Sequence, residues 1–165
     1  MWIYQGEEIK TLKDIPKEFK DYAGVIYCIV SHGGTYTEYI GQKKIYRRRK
    51  RVIGKRELST YTDKRRLRKY KSKKGKQRGT WIYYEEIIED NGFIEYCGSN
   101  DTLKNDIKKG VKVTKYILRF VKKESMLNYW EQKTQFCEGV LENPSHYYND
   151  NVAGKFYNSN TDFSD

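Results

Sequence analysis

The chain has 165 residues and carries a formal charge of +11, with 33 Lys and Arg against 22 Asp and Glu. This length favours a single domain, which we place at 1–157, with a tail at 158–165 of disordered composition. The longest apolar run, 25–30, is far shorter than the ~20 residues of a transmembrane helix, and no signal peptide is visible. An integral membrane protein and a secreted disulfide scaffold are therefore both disfavoured.

The first third of the chain has the composition of extended structure. Residues 1–12 resemble a short hairpin or an extended arm, and 14–19 have a turn-like composition. The composition of 24–30 predicts a strand, and 35–41 is predicted to be its partner across the turn-rich linker 31–34. We therefore expect an antiparallel hairpin as the first major element.

Strand patterns continue after a strongly basic segment. Residues 81–89 and 93–96 have strand composition, and Asp90-Asn91-Gly92 between them is typical of a hairpin turn. Residues 112–121 alternate in a way that predicts a further strand. Together with the first hairpin, these segments predict a small antiparallel sheet.

Three helices are expected. One lies at 63–70 inside the basic segment, and a Gly/Ser/Lys-rich loop follows at 71–79. A second helix is capped by 99–101 and stopped by Gly110. The clearest helix is 125–141, where Ser125 is the expected cap and apolar residues recur at three-to-four spacing. The predicted fold class is thus α/β (α+β), a central antiparallel sheet flanked by helices with an inserted basic segment.

Cysteine and histidine contents restrict the metal chemistry. The chain contains Cys28, Cys97 and Cys137 and two histidines, His32 and His146, without any CxxC pair. A zinc ribbon, a C2H2 finger and an HNH-type nuclease all need more ligands than this. A cluster of the last two cysteines with His146 has no supporting spacing. We interpret the cysteines as reduced and expect a cytoplasmic protein.

Basic residues concentrate in one segment. Between residues 42 and 78, 19 of 37 residues are Lys or Arg and two are acidic, giving +17, whereas the rest of the chain carries −6. Phosphate backbones are the commonest partner of such a segment, because each cation that neutralises a phosphate releases a counterion. A solvated basic loop is the simpler alternative, and membrane-surface binding is less favoured because no apolar stripe accompanies the charges. The predicted nucleic-acid contacts are Lys43, Arg47, Arg48, Lys50, Arg51, Arg65, Arg66 and Arg68.

Two tyrosines of the first hairpin form a candidate chemical pair. Tyr27 and Tyr39 are equidistant from Gly33, so a turn centred there would place them directly opposite each other on one face. Gly24 and Gly41 flank the pair and permit close approach of the backbones. Nearby cations would favour the phenolate that a general base requires. An ordinary cross-strand aromatic pair is the alternative.

The motif Gly24–Tyr27 is followed, after eleven residues, by Tyr39–Gly41, and this pair resembles the signature of the GIY-YIG nuclease superfamily. Val25 is an insertion relative to the strict three-residue form. Further motifs in the same order resemble those of the Seg-type endonucleases of bacteriophages, although Gln42 stands where those proteins have Lys. These motifs are Tyr39–Lys43, Tyr96–Asn100, Leu127–Glu131, Tyr147–Asn149 and Gly154–Phe156, and the resemblance covers about residues 4 to 156.

The resemblance implies a catalytic role for three of these residues. Glu131 would hold one divalent cation, Mg²⁺ or Mn²⁺, which stabilises charge in phosphodiester cleavage. Tyr39, or Tyr27 acting through Tyr39, would activate the attacking water. An ordinary surface carboxylate is the alternative for Glu131.

The resemblance also implies an arginine and an asparagine in the site. The arginine falls on Arg49, suited to clamp a phosphate by two parallel hydrogen bonds, although any arginine of 47–51 fits and Lys43 competes with it. The family's final Asn matches Asn149, which would orient a ligand or the backbone. A simple turn at 149–151 is the alternative.

We therefore expect a metal-dependent DNA endonuclease with DNA as its partner, no membrane association and no obligate protein partner. The resemblance implies a phage-encoded enzyme and leaves a homing role open. A non-catalytic nucleic-acid-binding protein on the same scaffold is the first alternative, and a basic virion- or ribosome-associated protein is the second. The joint presence of Tyr27, Tyr39, an arginine and Glu131 favours the enzyme.

Overall fold

The computed structural model describes residues 1–73, 75, 78–154 and 156–157. The chain divides into two compact units, which we call the first unit (Met1–Ile45 with the described residues from Gly92 onward) and the second unit (Tyr46–Asn91). The single-domain organisation of 1–157 stays a prediction. The expected tail at 158–165 and part of the expected loop at 71–79 lie outside the described residues.

The described residues form ten strands and three α-helices. The strands are β1 Trp2–Tyr4, β2 Glu7–Ile9, β3 Gly24–His32, β4 Glu38–Lys44, β5 Tyr46–Val52, β6 Arg68–Lys71, β7 Trp81–Asp90, β8 Lys112–Val121, β9 Asn151–Val152 and β10 Phe156–Tyr157. The helices are α1 Lys55–Thr60, α2 Asp101–Lys108 and α3 Leu127–Cys137, with 3₁₀ turns at Leu12–Asp14, Lys17–Phe19, Lys64–Arg66 and Glu124–Met126. No helix in this part of the chain is long and apolar enough to cross a membrane.

A five-stranded sheet in the order β2-β1-β8-β3-β4 organises the first unit. Its neighbours are antiparallel except β1 and β8, which run parallel. The predicted N-terminal hairpin is confirmed: Gln5 and Gly6 join β1 to β2 and have φ values of 50° and 88°, as a two-residue type I′ turn requires. The α+β class expected from the sequence is therefore confirmed.

The hairpin of β3 and β4 forms, but its predicted register is wrong. Tyr27 pairs with Gly41, and Tyr39 pairs with Ile29. The turn is centred on residue 34 and not on Gly33, and a shift of one residue in the turn centre moves the pairing by two positions. Because side chains alternate with a period of two, both tyrosines still lie on one face of the sheet. They are diagonal neighbours, with ring centroids 6.1 Å apart.

The two predicted helices of the first unit are present with different boundaries. Asn100 caps α2 by accepting a hydrogen bond from the Leu103 N–H at 2.9 Å, as expected. Ser125 does not cap α3, because it lies in the 3₁₀ turn that precedes the helix. The helix ends at Cys137, short of the predicted Leu141, since Gly139 adopts a left-handed φ of 60° that terminates it.

The sheet of the first unit packs side chains on both faces. On one face, Ile26 and Val121 pack with Leu127 and Trp130 of α3. On the other face, the Trp2 ring stacks on Phe93 with centroids 5.0 Å apart and meets the Tyr27 ring edge-on at 5.3 Å. The residues of β3 from Gly24 to Ile29 are consequently all buried. The sheet is thus a rigid base for the polar residues at its β4 edge.

The second unit is a three-stranded antiparallel sheet in the order β5-β7-β6. Two predictions for this part of the chain and the residues that follow it are wrong. The helix expected at 63–70 is wrong, because that segment contains a 3₁₀ turn followed by β6, while α1 forms earlier. The strand expected at 93–96 is also wrong, because Phe93 turns inward to stack on Trp2. Strand β7 pairs instead with β5 and β6.

Gly24 supplies a test of the close approach between β3 and β4. A Cβ atom at this position would lie 2.5 Å from the Lys43 carbonyl oxygen, and a paired backbone cannot move away easily. We expect Gly24→Ala to lower the free energy of unfolding by roughly 1–3 kcal/mol through overpacking. The matched control is Gly54→Ala, where a Cβ meets nothing within 4 Å and φ is −69°. Urea unfolding of both variants checks this, and equal stability would contradict the packing described here.

Candidate active site

The outer side of β4 is occupied by the segment 146–149. The Glu38 N–H donates to the His146 carbonyl, and the Tyr148 N–H donates to the Glu38 carbonyl at 2.7 Å. Two residues further along β4, the Asn149 side chain forms the hydrogen bonds to the strand backbone. Its Oδ1 accepts from the Ile40 N–H at 3.0 Å, and its Nδ2 donates to the Ile40 carbonyl at 2.8 Å. Asn149 thus hydrogen-bonds to both backbone groups of Ile40, and its role in the candidate site stays a prediction.

Helix α3 binds the same backbone position from one face of the sheet. Gln135 Nε2 donates to the Ile40 carbonyl at 3.1 Å, so this oxygen accepts two side-chain hydrogen bonds. Both Gln135 and Asn149 are buried. Tyr39 and Gly41 are the neighbours of Ile40 in the chain, so the position of the second tyrosine motif is fixed relative to α3.

Tyr39 lies at the edge of the sheet with its hydroxyl held by the residues that precede α2. Its Oη is 2.8 Å from Ser99 Oγ, and either oxygen can donate. The ring fits between two glycines: a Cβ on Gly41 would lie 3.1 Å from the Tyr39 ring, and a Cβ on Gly98 would lie 3.2 Å from it. Gly98 also has a φ of +87°, which side chains rarely adopt. Larger residues at either position would displace the phenol.

Tyr27 lies behind Tyr39 and is fully buried. Its hydroxyl has no hydrogen-bond partner among the described residues, and it projects towards Gly41, where a Cβ would lie only 2.5 Å from Oη. Burial raises the pKa of the Tyr27 phenol, and the phenols of Tyr39 and Tyr96 raise it further. The side chain therefore stays neutral and positions the Tyr39 ring.

The pKa of Tyr39 is also raised, and burial is again the largest cause. The hydrogen bond to Ser99 acts in the opposite direction, while Tyr96 and the Glu131 carboxylate add to the increase. The expectation that nearby cations lower the pKa of Tyr39 is therefore wrong, because burial raises that pKa. The resting form of both tyrosines is the neutral phenol.

Glu131 lies on α3 at the side that faces β4. Its Oε2 accepts a hydrogen bond from Gln42 Nε2 at 3.0 Å, and the same amide also donates to Asn128 Oδ1. Burial raises the pKa of Glu131, whereas the Gln42 hydrogen bonds lower it. Within the described part of the chain, this partly buried carboxylate forms no ion pair, so it gains from any positive charge that enters the site.

Tyr39 and Glu131 line one open cavity of about 420 Å³. Polar groups dominate its wall, including Ser99, Asn128 and Asp150. Among the described residues, no three Cys, His, Asp or Glu side chains lie together as a metal cage. Two carboxylates, Glu131 and Asp150, line this wall with amide oxygens nearby, which suits Mg²⁺, because this ion is usually held by one or two carboxylates together with water and substrate phosphates. The donor set therefore fits one hard divalent cation bound at Glu131.

Sequence reasoning missed Gln42, Asn128 and Gln135 as members of this site. A signal for two of them was present: Asn128, Glu131 and Gln135 recur at a spacing of three and four, which places them on one face of α3. Gln42 was noted only as a departure from the Lys of the Seg-type motif. Its contact with Glu131 depends on the approach of α3 to β4, which sequence spacing does not contain.

The predicted basic contacts are distributed over both units. Lys43 lies on β4 with Nζ 4.2 Å from the centre of the Tyr96 ring. Arg49, the predicted catalytic arginine, lies on β5 of the second unit, with Nη1 3.9 Å from Glu89 Oε1. In residues 1–45 and 92–165 the sequence contains one arginine, Arg119, whose guanidinium stacks 3.8 Å above the Trp130 ring. The other predicted contacts in the second unit are Arg47, Arg48, Lys50 and Arg51 on β5, Arg65 and Arg66 in a 3₁₀ turn, and Arg68 on β6.

Replacement of Asn149 tests how the site is held. In Asn149→Asp, an oxygen replaces the Nδ2 donor and faces the Ile40 carbonyl, so we expect a loss of roughly 1–3 kcal/mol of stability at pH 7. Protonation restores a donor to the Ile40 carbonyl, so the pKa of the new carboxyl is raised in the folded protein, and the deficit should shrink as the pH falls from this raised pKa to the ordinary pKa of Asp. Asn105→Asp, at an exposed position of α2, is the control. Equal unfolding curves for the two variants at pH 7 would contradict the role of the Asn149 amide.

A family model described as "Putative endonuclease segE, GIY-YIG domain" matches residues 2–160. No curated protein and no solved structure matches the chain. The match covers nearly the whole sequence, including both tyrosine motifs and the helix that carries Glu131. The chain therefore belongs to the SegE-type GIY-YIG endonuclease domain family.

Proposed function

We propose that this chain is a divalent-metal-dependent endonuclease that hydrolyses phosphodiester bonds of DNA. The observation that carries the proposal is the placement of the Tyr39 hydroxyl and the Glu131 carboxylate on the wall of one open, polar cavity. Family membership supplies the endonuclease class. The phage origin inferred from the Seg-type motifs belongs to the same proposal.

Glu131 holds the cation in this proposal, with Mg²⁺ as the preferred ion and Mn²⁺ as its substitute. The ion supplies Lewis-acid stabilisation of the negative charge that develops on the phosphate and on the leaving 3′ oxygen. Gln42 donates to Glu131 Oε2 at 3.0 Å and so restricts the rotation of the carboxylate. Asn128 shares the Gln42 amide and limits its rotation.

Tyr39 positions and activates the attacking water. Its oxygen keeps a lone pair for this water whichever way the hydrogen bond with Ser99 runs. The Glu131 carboxylate is one cause of the raised pKa of Tyr39, so neutralising that carboxylate favours loss of the phenolic proton to solvent. The phenolate formed in this way then accepts a proton from the attacking water. Tyr27 acts through packing, since its ring lies against Tyr39 and its hydroxyl is buried.

Removal of the Tyr39 hydroxyl tests its chemical role. Tyr39→Phe keeps the ring between Gly41 and Gly98, so folding and DNA affinity should be preserved while cleavage falls by roughly 10²–10⁴. Tyr22→Phe makes the same chemical change where the ring packs on Phe19, away from the cavity. Plasmid-nicking rates for both variants check this. Wild-type cleavage by Tyr39→Phe would show that the tyrosine pair is structural.

Neutralisation of Glu131 tests the metal assignment. Glu131→Gln keeps a helix-compatible side chain of nearly the same shape but removes the negative charge that a hard cation requires. We expect cleavage to be lost, because each ~1.4 kcal/mol of transition-state stabilisation corresponds to a tenfold change in rate. Glu142→Gln, exposed and outside the cavity wall, is the control.

The measurements for Glu131 are a nicking time course in Mg²⁺, a thermal melt and a DNA-binding isotherm. The Glu131→Gln variant should melt at or above the wild-type temperature, because burial disfavours the charged carboxylate. It should also bind DNA at least as tightly, since a carboxylate near the phosphate has gone. Cleavage at the wild-type rate would refute the metal assignment.

A further inference from the structure

Strand alternation divides the basic run of β5 between two faces of the second unit. Residues paired across an antiparallel sheet share a face, and residues two apart on one strand share it as well. Arg47, Arg49 and Arg51 therefore lie on one face, which we call the paired face. The opposite face, which we call the open face, consists of Tyr46, Arg48, Lys50, Val52, Arg68, Tyr70, Ile82, Tyr84, Glu86, Ile88 and Asp90.

Carboxylates balance the arginines of the paired face. Arg47 Nη2 lies 2.9 Å from Glu89 Oε2, and Arg49 approaches the other oxygen of the same side chain. Arg51 is held between Glu85 at 2.5 Å and Glu57 at 2.7 Å. These ion pairs join β5 to β7 and to α1, so the cations of this face contribute to the structure of the unit.

The cations of the open face have a different environment. Arg48 and Arg68 form no ion pair with any residue that the structure describes. Lys50 lies directly across from Glu86, yet its Nζ is placed 4.7 Å from the centre of the Tyr84 ring and forms no ion pair with a described carboxylate. The charges on this face are therefore available to an anion from outside.

Apolar groups accompany these cations in solvent. Val52 is 56% exposed and Ile88 is 67% exposed, and Tyr70, at 41%, lies beside them on the same face. A purely solvated face would not need such residues. Sugar rings and thymine methyl groups in a DNA groove are apolar surfaces that lie between phosphates, so the pattern of cations around apolar side chains matches a duplex.

We propose that the open face is the surface through which this chain binds duplex DNA, with Arg48, Lys50 and Arg68 at the phosphates and Val52 and Ile88 against the groove. The inference rests on the proposed function in taking DNA as the ligand. It restricts the DNA contacts predicted on the sheet of the second unit to one face. Arg47 and Arg51, on the other face, instead stabilise the sheet. Glu86 is the acidic group of this face directly opposite Lys50, and it opposes phosphate binding.

Two double variants of equal charge change test the proposal. Arg48→Gln/Lys50→Gln removes two cations from the open face, and Arg47→Gln/Arg51→Gln removes two from the paired face. Binding of the full chain to a fluorescent duplex is measured by anisotropy in EDTA across a range of salt concentrations. We expect the open-face variant to lose roughly tenfold or more in affinity at 0.1 M salt and to flatten the log–log salt slope by about 1.8, at ~0.9 per phosphate contact.

The paired-face variant should keep a salt slope close to the wild type. Equal losses of slope in both folded variants would overturn the proposal, as would tighter binding of the single strand than of the duplex. If thermal melts show that the paired-face variant is unfolded, Glu86→Gln decides: it should bind the duplex more tightly, by about two- to fivefold, whereas Glu8→Gln on the N-terminal hairpin should not. Unchanged binding by Glu86→Gln would then overturn the proposal.

These binding measurements are independent of cleavage. A wild-type chain that binds duplex through the open face but never nicks it would refute the proposed endonuclease and leave the DNA-binding face standing. If the wild-type chain nicks DNA while the two double variants bind equally, the proposed DNA-binding face is refuted and the proposed endonuclease stands.

Discussion

The backbone of Ile40 is the position on which the candidate site depends. Two amides from distant parts of the chain, Asn149 and Gln135, hydrogen-bond to it in the interior of the first unit. Because a buried polar group without a partner is costly, these bonds fix where β4 lies against α3 and the 146–149 segment. Tyr39, next to Ile40, and Glu131, one helical turn before Gln135, are consequently brought to one cavity. The candidate site is thus positioned by two amides that bind the backbone of one strand.

Local patterns were sufficient to predict much of the first unit. The Asn100 cap, the β8 strand and the hairpin of β3 and β4 were all correctly predicted, and the two tyrosines do share a face. The register failed because the residues that start β4 are bonded to the His146 carbonyl, more than a hundred positions away. The predicted protonation state of the tyrosines is wrong for a related reason. Charge can be counted along the chain, whereas burial depends on which rings pack together.

The second unit shows the limit of composition as a guide. Five consecutive basic residues suggested a solvated or DNA-tracking segment, and no local signal indicated a strand. Strand β5 forms because Glu85 and Glu89 of β7 face it across the sheet, some forty residues later in the chain. The same pairing gives alternate cations different roles. A net charge of +17 therefore describes the 42–78 segment less well than the alternation of its side chains does.

In the proposed function, DNA is cleaved at the cavity of Tyr39 and Glu131 with the help of a divalent cation. The most direct measurement is a nicking time course of the purified wild-type chain on supercoiled plasmid, with Mg²⁺ and with EDTA. We expect supercoiled DNA to be converted to nicked or linear product in Mg²⁺ and to stay uncut in EDTA, with cutting restored when Mg²⁺ is added back. Equal cutting in EDTA, or binding of the plasmid without any cutting in Mg²⁺ or Mn²⁺, would contradict it.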